Sequence, residues 1–229
     1  MTHTPTKAAL RRQVRQRRAA LRDDQLTTRA ERLTAALQDH IHPDAVVAGY
    51  LPMRGEPDLL AFLNRHSSEA GVVYLPVVPS AGRELKWAAW TPETPLRQHS
   101  TMPLREPDPE LTVVDDLQQM FRRASGLGSD ALNREAAPYQ QAHHRPANLV
   151  LLVPALALDT SGARLGQGGG YYDTTLEQLP LLVEQHPQVR CEVIAVVHSE
   201  EVMEQGAFPV QPHDLRASRA ATECGIVDF

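Results

Sequence analysis

The stretch "NLVLLVPALAL" at residues 148–158 constrains the fold most. It is almost wholly apolar yet shorter than a membrane span. Such a run has to be covered on both faces, as a central strand of a parallel sheet is. Three further runs share its character: "AVVAGYL" (45–51), "GVVYLPVV" (71–78) and "CEVIAVVHS" (191–199). "ELKWAAW" (84–90) reads as another strand, with Leu85, Trp87 and Ala89 inward. Between the strands lie helical patterns. Residues 6–38 carry apolar stripes at helical spacing, broken at "RDDQ" (22–25), with Asp23 or Asp24 capping the second helix. "DLLAFLNRH" (58–66) is also helical, and a helix starts near Tyr171. Prolines make 91–110 an extended surface segment, and polar 122–146 reads as an inserted loop. The expectation is an α/β fold: one three-layer α/β/α domain over 1–229, with a mostly parallel central sheet.

Two cysteines, Cys191 and Cys224, form no disulfide framework, so a reducing cytosol is the simplest setting. No apolar signal core opens the chain, and no apolar run approaches about 18 residues, so the expected protein is cytoplasmic and free of membrane. The net charge of −5 hides an asymmetry. Residues 1–37 hold nine Lys/Arg against three Asp/Glu, leaving −11 on the remainder. A basic arm on an acidic body needs an anionic partner, within the molecule or outside it. Nucleic acid is not expected, because no aromatic residues interleave with the basic ones and the body is acidic. A monomer is the default.

After the 148–158 strand comes "DTSGARLGQGGGYYD" (159–173). A loop at the carboxyl end of a buried strand is where open α/β sheets bind ligands. Glycines let a ligand approach the backbone, and the next helix offers free N–H groups, which favours a phosphate or carboxylate. The pattern is neither known phosphate loop. No Lys follows the glycines as in a P-loop, and Tyr171 stands where the dinucleotide fingerprint needs its third glycine. The glycines alone also fit a plain strand-to-helix connection. Arg164, two tyrosines and Asp173 make the loop more than a turn.

The string "LDTSGARLGQGGGYYDTTL" closely resembles the signature of the 5-formyltetrahydrofolate cyclo-ligase family. "KAALR" (7–11), "YLPMRGEPD" (50–58) and "PVQPHD" (209–214) are similar to three further family landmarks, in the right order. The resemblance spans nearly the whole chain except 122–146. It implies conversion of 5-formyltetrahydrofolate to 5,10-methenyltetrahydrofolate with ATP and Mg²⁺. The formyl oxygen attacks the γ-phosphate, N10 then attacks the activated carbon, and phosphate leaves. No enzyme nucleophile is required, so the protein positions substrates and neutralises charge.

Carried onto this chain, the resemblance implies ATP contacts at Lys7, Arg11, Arg164, Leu165, Gly166, Gln167, Gly168, Gly169, Gly170, Tyr171 and Tyr172. It implies folate contacts at Leu51, Glu56 and Gln167 through Tyr171. Asp173 and Asp214 become the Mg²⁺ carboxylates, in line with that ion's preference for one or two carboxylates plus phosphate oxygens. Tyr50 and the two loop tyrosines could stack on a ring or be core. Lys7 and Arg11 share a helix face that Arg15, Arg18 and Arg22 continue, and Arg15 onward reads as ordinary surface. Many family members carry an aromatic or basic residue where Gln167 stands, and often Asp-Thr where this chain has Asp58-Leu59. His143 and His144 read as solvated loop. The rival readings are another ATP-dependent α/β small-molecule kinase and a non-catalytic folate-binding protein.

Overall fold

The computed structural model describes residues 5–69, 71–130, 148–211 and 214–229. In chain order the elements are α1 (Lys7–Ala19), α2 (Asp23–His40), β1 (Val46–Ala48), α3 (Leu60–Ser68), β2 (Val72–Val77) and β3 (Lys86–Ala89). Then come β4 (Leu96–Gln98), β5 (Arg105–Pro107), β6 (Val114–Asp115), α4 (Leu117–Asp130), β7 (Leu149–Pro154), β8 (Ala157–Asp159) and β9 (Arg164–Leu165). The chain finishes with α5 (Tyr171–Leu176), α6 (Leu179–Gln185), β10 (Cys191–Val196), β11 (Val202–Met203), β12 (Arg219–Thr222) and β13 (Gly225–Asp228).

Eight strands form one sheet in the order β13-β12-β10-β7-β1-β2-β3-β6. The five strands from β12 to β2 run parallel, and β13, β3 and β6 join antiparallel at the edges. Strand β7 shows why the 148–158 run is apolar throughout. Leu149, Leu151 and Val153 point into a core with α4, α5 and α6. Val150 and Leu152 point into a second core with α2 and α3. The period-2 alternation of a strand thus feeds two helical layers. The chain passes from β1 outward to β2, while β7, β10 and β12 extend the sheet the other way. The switch point between β1 and β7 leaves a crevice at the strands' carboxyl ends.

Several local expectations change. Arg22, not Asp23 or Asp24, precedes α2, with the Gln25 side chain accepting from the Arg22 N–H at 3.1 Å. The two aspartates occupy the first turn, where their charge suits the helix dipole. Ala89 faces outward, and Ala88 is buried instead. The segment 91–110 is not merely extended: β4 and β5 pair as a hairpin whose Glu106 is 1% exposed. The inserted-loop reading of 122–146 fails for 122–130, which continues α4. Its arginines face solvent while Met120, Phe121 and Ala124 on the other face are fully buried. Most of the rest of that segment, including His143 and His144, lies outside the described residues.

Helix α1 starts at Thr6, whose hydroxyl accepts the Ala9 N–H at 3.2 Å. Its apolar edge, Leu10 and Val14, packs on Leu156, Ala157, Leu165 and Phe208 beside a small β11-β8-β9 sheet. Burying each such side chain is worth about 1.5–3 kcal/mol. That packing fixes which way the neighbouring basic edge of α1 points.

Candidate active site

The approach to the glycine loop is set by Asp159. Its Oδ1 accepts the Ser161 hydroxyl and the N–H groups of Ser161 and Ala163. Burial pushes this carboxyl up, but those bonds and one from the Gly206 N–H outweigh it and hold the pKa below its ordinary value. Gly162 has φ +78°, and a Cβ there would lie 2.3 Å from the Ala217 backbone oxygen. Only glycine fits that turn. The turn delivers Arg164, 5% exposed, to the floor of the crevice.

Arg164 donates to Pro154 O and to Asp173 Oδ1, both at 2.9 Å, and its guanidinium lies 5.7 Å from the Tyr172 ring centre. A Cβ on Gly166 would come 2.8 Å from the Arg164 Nη1, so that glycine lets the arginine fold back under the loop. Gly170, at φ +74°, precedes α5 in the left-handed conformation that glycine tolerates. The Tyr172 hydroxyl and the Arg164 Nε are buried without a hydrogen-bond partner among the described residues. Burial pushes the Tyr172 phenol well up, which the nearby Arg164 only partly offsets.

The basic edge of α1 closes over this loop. At positions i, i+4, i+8 and i+11, four cations take four different partners. Lys7 Nζ donates to Asp214 Oδ2 at 2.5 Å, and Arg11 Nε donates to Gly166 O at 2.9 Å. Arg15 grips Gln167 through both its carbonyl and its side-chain oxygen. Arg18 is buried and paired with Glu201 through Nε at 2.8 Å and Nη2 at 2.7 Å. The surface reading of the stripe beyond Arg11 therefore fails for Arg18 and holds for Arg15, exposed though bonded to Gln167, and for Arg22, an exposed partner of Asp24. Removing one partner of the buried Arg18–Glu201 pair would cost about 3–5 kcal/mol.

Between α1, the loop and the first strand lies a cavity of about 790 Å³. It opens at the carboxyl ends of β1, β2 and β7, at the switch point. Of the residues singled out from the sequence, Leu51, Glu56, Arg164, Tyr171, Tyr172 and Asp173 line it, as do Gly166 to Gly170 with Gln167. Lys7, Arg11 and Asp214 stand at its margin rather than in its wall. Leu165 is a core residue, 1% exposed, so only its backbone belongs to the loop. Tyr50 does both jobs offered to it: it is core, donates to Pro57 O at 2.9 Å and lines the cavity. Glu56, 8% exposed, accepts the Met53 N–H on Oε2 and the Gln167 Nε2 on Oε1, each at 3.0 Å. Gln167 thus bridges Arg15 and Glu56 across the cavity. Asp173 Oδ1 also accepts the Leu215 N–H at 3.3 Å, which ties it to the backbone next to Asp214, whose own Oδ2 accepts from Lys7 and the Gln211 N–H. Among the described residues no group of three or more His, Cys, Asp or Glu is placed to hold a metal ion.

The sequence model of the 5-formyltetrahydrofolate cyclo-ligase family matches residues 3–223. The chain belongs to this family. It is an enzyme of folate metabolism with 5-formyltetrahydrofolate cyclo-ligase activity, and the family is one of ATP-dependent ligases. It is 31% identical over 186 residues to the 5-formyltetrahydrofolate cyclo-ligase of Mycolicibacterium smegmatis, covering 79% of this chain and 75% of that one. It is 27% identical over 221 residues to the Escherichia coli 5-formyltetrahydrofolate cyclo-ligase, covering 94% and 100% respectively. The fold matches the NMR structure of Aquifex aeolicus 5,10-methenyltetrahydrofolate synthetase with a TM-score of 0.63 at 22% identity, over 97% of this chain and 92% of that one. The Mycoplasma pneumoniae 5,10-methenyltetrahydrofolate synthetase matches with a TM-score of 0.61 at 19% identity, over 95% and 98%. Gln167, singled out from the sequence, forms the Glu56–Arg15 bridge. Among the described residues no helix is long and apolar enough to cross a membrane.

Proposed function

We propose that the cavity seats the pterin of 5-formyltetrahydrofolate against Glu56 and the ATP phosphates along residues 164–172, with Lys7 and Arg11 closing over them. The observation that carries this reading is the 3.0 Å hydrogen bond from Gln167 to Glu56. It joins the phosphate loop to the folate carboxylate. The formyl oxygen has to meet the γ-phosphate within bonding reach, so the two subsites must adjoin.

Glu56 accepts N–H groups from the pterin and fixes its orientation. Leu51 gives the ring an apolar wall. The backbone N–H groups of Gly166 to Gly170 and the Arg164 guanidinium face phosphate oxygens. Arg11 and Lys7 add charge from the other side, and Lys7 exchanges Asp214 for a phosphate oxygen when ATP arrives. Asp173 and Asp214 offer hard oxygen donors in one corner, a set that suits Mg²⁺ together with phosphate oxygens. Mg²⁺ there would neutralise charge on the transferring phosphoryl group. The formyl oxygen forms a bond to the γ-phosphorus as the bond to ADP breaks. N10 then attacks the formyl carbon, loses its proton, and the carbon–oxygen bond breaks to release phosphate. The α1 stripe and the loop exclude water from the activated carbon.

Oxygen tracing tests this sequence. With ¹⁸O in the formyl group and purified protein, the label is expected in inorganic phosphate. A stable phosphorylated product carrying the label would instead support the kinase reading. Phosphate free of label would overturn the route.

A further inference from the structure

Arg18 is the one buried cation of the α1 stripe, and its hydrogen bonds leave something over. A guanidinium has five N–H groups in a rigid planar fork. Nε and Nη2 hold Glu201, and Nη2 also donates to Ala155 O at 2.6 Å. Nη1 is buried and has no hydrogen-bond partner among the described residues. The side chain is 5% exposed and lines the large cavity. The nearest acid on that side is Glu56, whose Oε1 lies 4.0 Å away, beyond hydrogen-bond reach. Glu201 sits behind Arg18 and does not line the cavity. The fork is therefore locked from the rear, and Nη1 is its one nitrogen without a hydrogen-bond partner among the described residues, on the side of Glu56 and of the cavity that Arg18 lines. Gly55 packs its backbone on Arg18, and any Cβ there would lie 3.1 Å from the Arg18 Cβ, so the loop carrying Glu56 sits tight against the base of the Arg18 side chain.

We infer that Arg18 is a specificity residue for the pterin: Nη1 donates to the C4 carbonyl oxygen of a ring whose N3–H and 2-amino group face Glu56. This rests on the placement of the pterin at Glu56. A pterin presents the 2-amino group, N3–H and C4=O in a row, two donors and then an acceptor. The cavity presents the complement, the Glu56 carboxylate and then a cationic donor. A separation of 4.0 Å between Glu56 and Nη1 keeps the two from satisfying each other and lets one ring edge span both. A buried donor of this kind selects against a ligand that lacks its acceptor, because the mismatch leaves a desolvated N–H donor unsatisfied.

The test compares 5-formyltetrahydrofolate with its 4-amino-4-deoxy counterpart, which turns the C4 acceptor into a donor and N3–H into a bare ring nitrogen, so Arg18 is read from how its substitution changes the preference. Binding of each, without ATP, is measured by calorimetry on the wild type, Arg18→Lys and Glu201→Gln. The wild type is expected to prefer the 4-oxo ligand by about 10²-fold. Arg18→Lys is expected to cut that preference about tenfold or more, because the ammonium cannot hold both Glu201 and the carbonyl. Glu201→Gln is expected to cut it by a smaller factor, acting through Arg18 rather than by ligand contact, and the amide can keep its bond from the His198 N–H. If Arg18→Lys does not fold, Glu201→Gln still decides, since it touches no ligand. The same preference in the wild type and the folded variants, with only the melting temperature lowered, overturns the inference and leaves Arg18 a structural pin. A wild type that binds neither ligand overturns the folate placement and the Arg18 inference with it.

Discussion

Asp173→Asn is expected to lower kcat about 10²- to 10³-fold and to raise the Mg²⁺ concentration needed for half-maximal rate, with little loss of stability. Asp173 Oδ1 accepts from Arg164 Nη2 and from the Leu215 N–H. An asparagine carbonyl can keep both bonds, and the side chain is 28% exposed, so the fold is not at stake. What the substitution removes is a negative charge in the corner shared with Asp214. On the proposed placement of Mg²⁺, the magnitude follows from losing one charged ligand at a point where transition-state charge is greatest. Turnover titrated with Mg²⁺, beside a thermal melt, checks it. Unchanged Mg²⁺ dependence would remove Asp173 from the metal corner, and a collapsed melting temperature would make it a structural acid.

Glu56→Gln is expected to raise KM for 5-formyltetrahydrofolate about 10²-fold while KM for ATP stays within about twofold. The side chain is buried beside Arg18, and an amide of the same shape preserves the loop through the Met53 N–H. It presents a donor where the pterin also has donors, and it drops the charge that strengthens each remaining bond. Steady-state kinetics with each substrate varied in turn separates the cases. Equal rises for both substrates would mean that Glu56 holds the cavity open rather than reading the folate.

The parts of the fold visible in the sequence are those governed by local periodicity. The 148–158 run is apolar on both faces because β7 lies between two helical layers, and no long-range knowledge is needed to see it. The glycine loop was legible for a similar reason: positive φ, backbone approach and flanking Arg164 and Asp173 all lie within a few residues. The burial of Arg18 and the partner of Arg15 were not. Helical spacing shows that Arg15 and Arg18 share a face with Lys7 and Arg11, but an amphipathic pattern cannot separate a solvated cation from one facing a partner 183 residues away. The signal that could have found Arg18 is its adjacency to Leu10 and Val14 on a helix whose apolar edge must be buried. Residues 122–130 misled through averaging. The polar face of α4 dominates that window, while its apolar anchors begin at Leu117 and Met120. Proline content hid β5, although an edge strand accepts proline at its end. The Gln167 bridge was out of reach because both its ends, Arg15 and Glu56, are more than 100 positions away in sequence.

The most direct test of the account is a single assay. Purified protein is mixed with 5-formyltetrahydrofolate, ATP and Mg²⁺, and methenyltetrahydrofolate absorbance is followed alongside ADP. The expected result is one ADP for each methenyl product, with neither formed when ATP, Mg²⁺ or folate is left out. Methenyl formation no faster than the spontaneous acid-catalysed reaction, or ADP release that ignores folate, would contradict it.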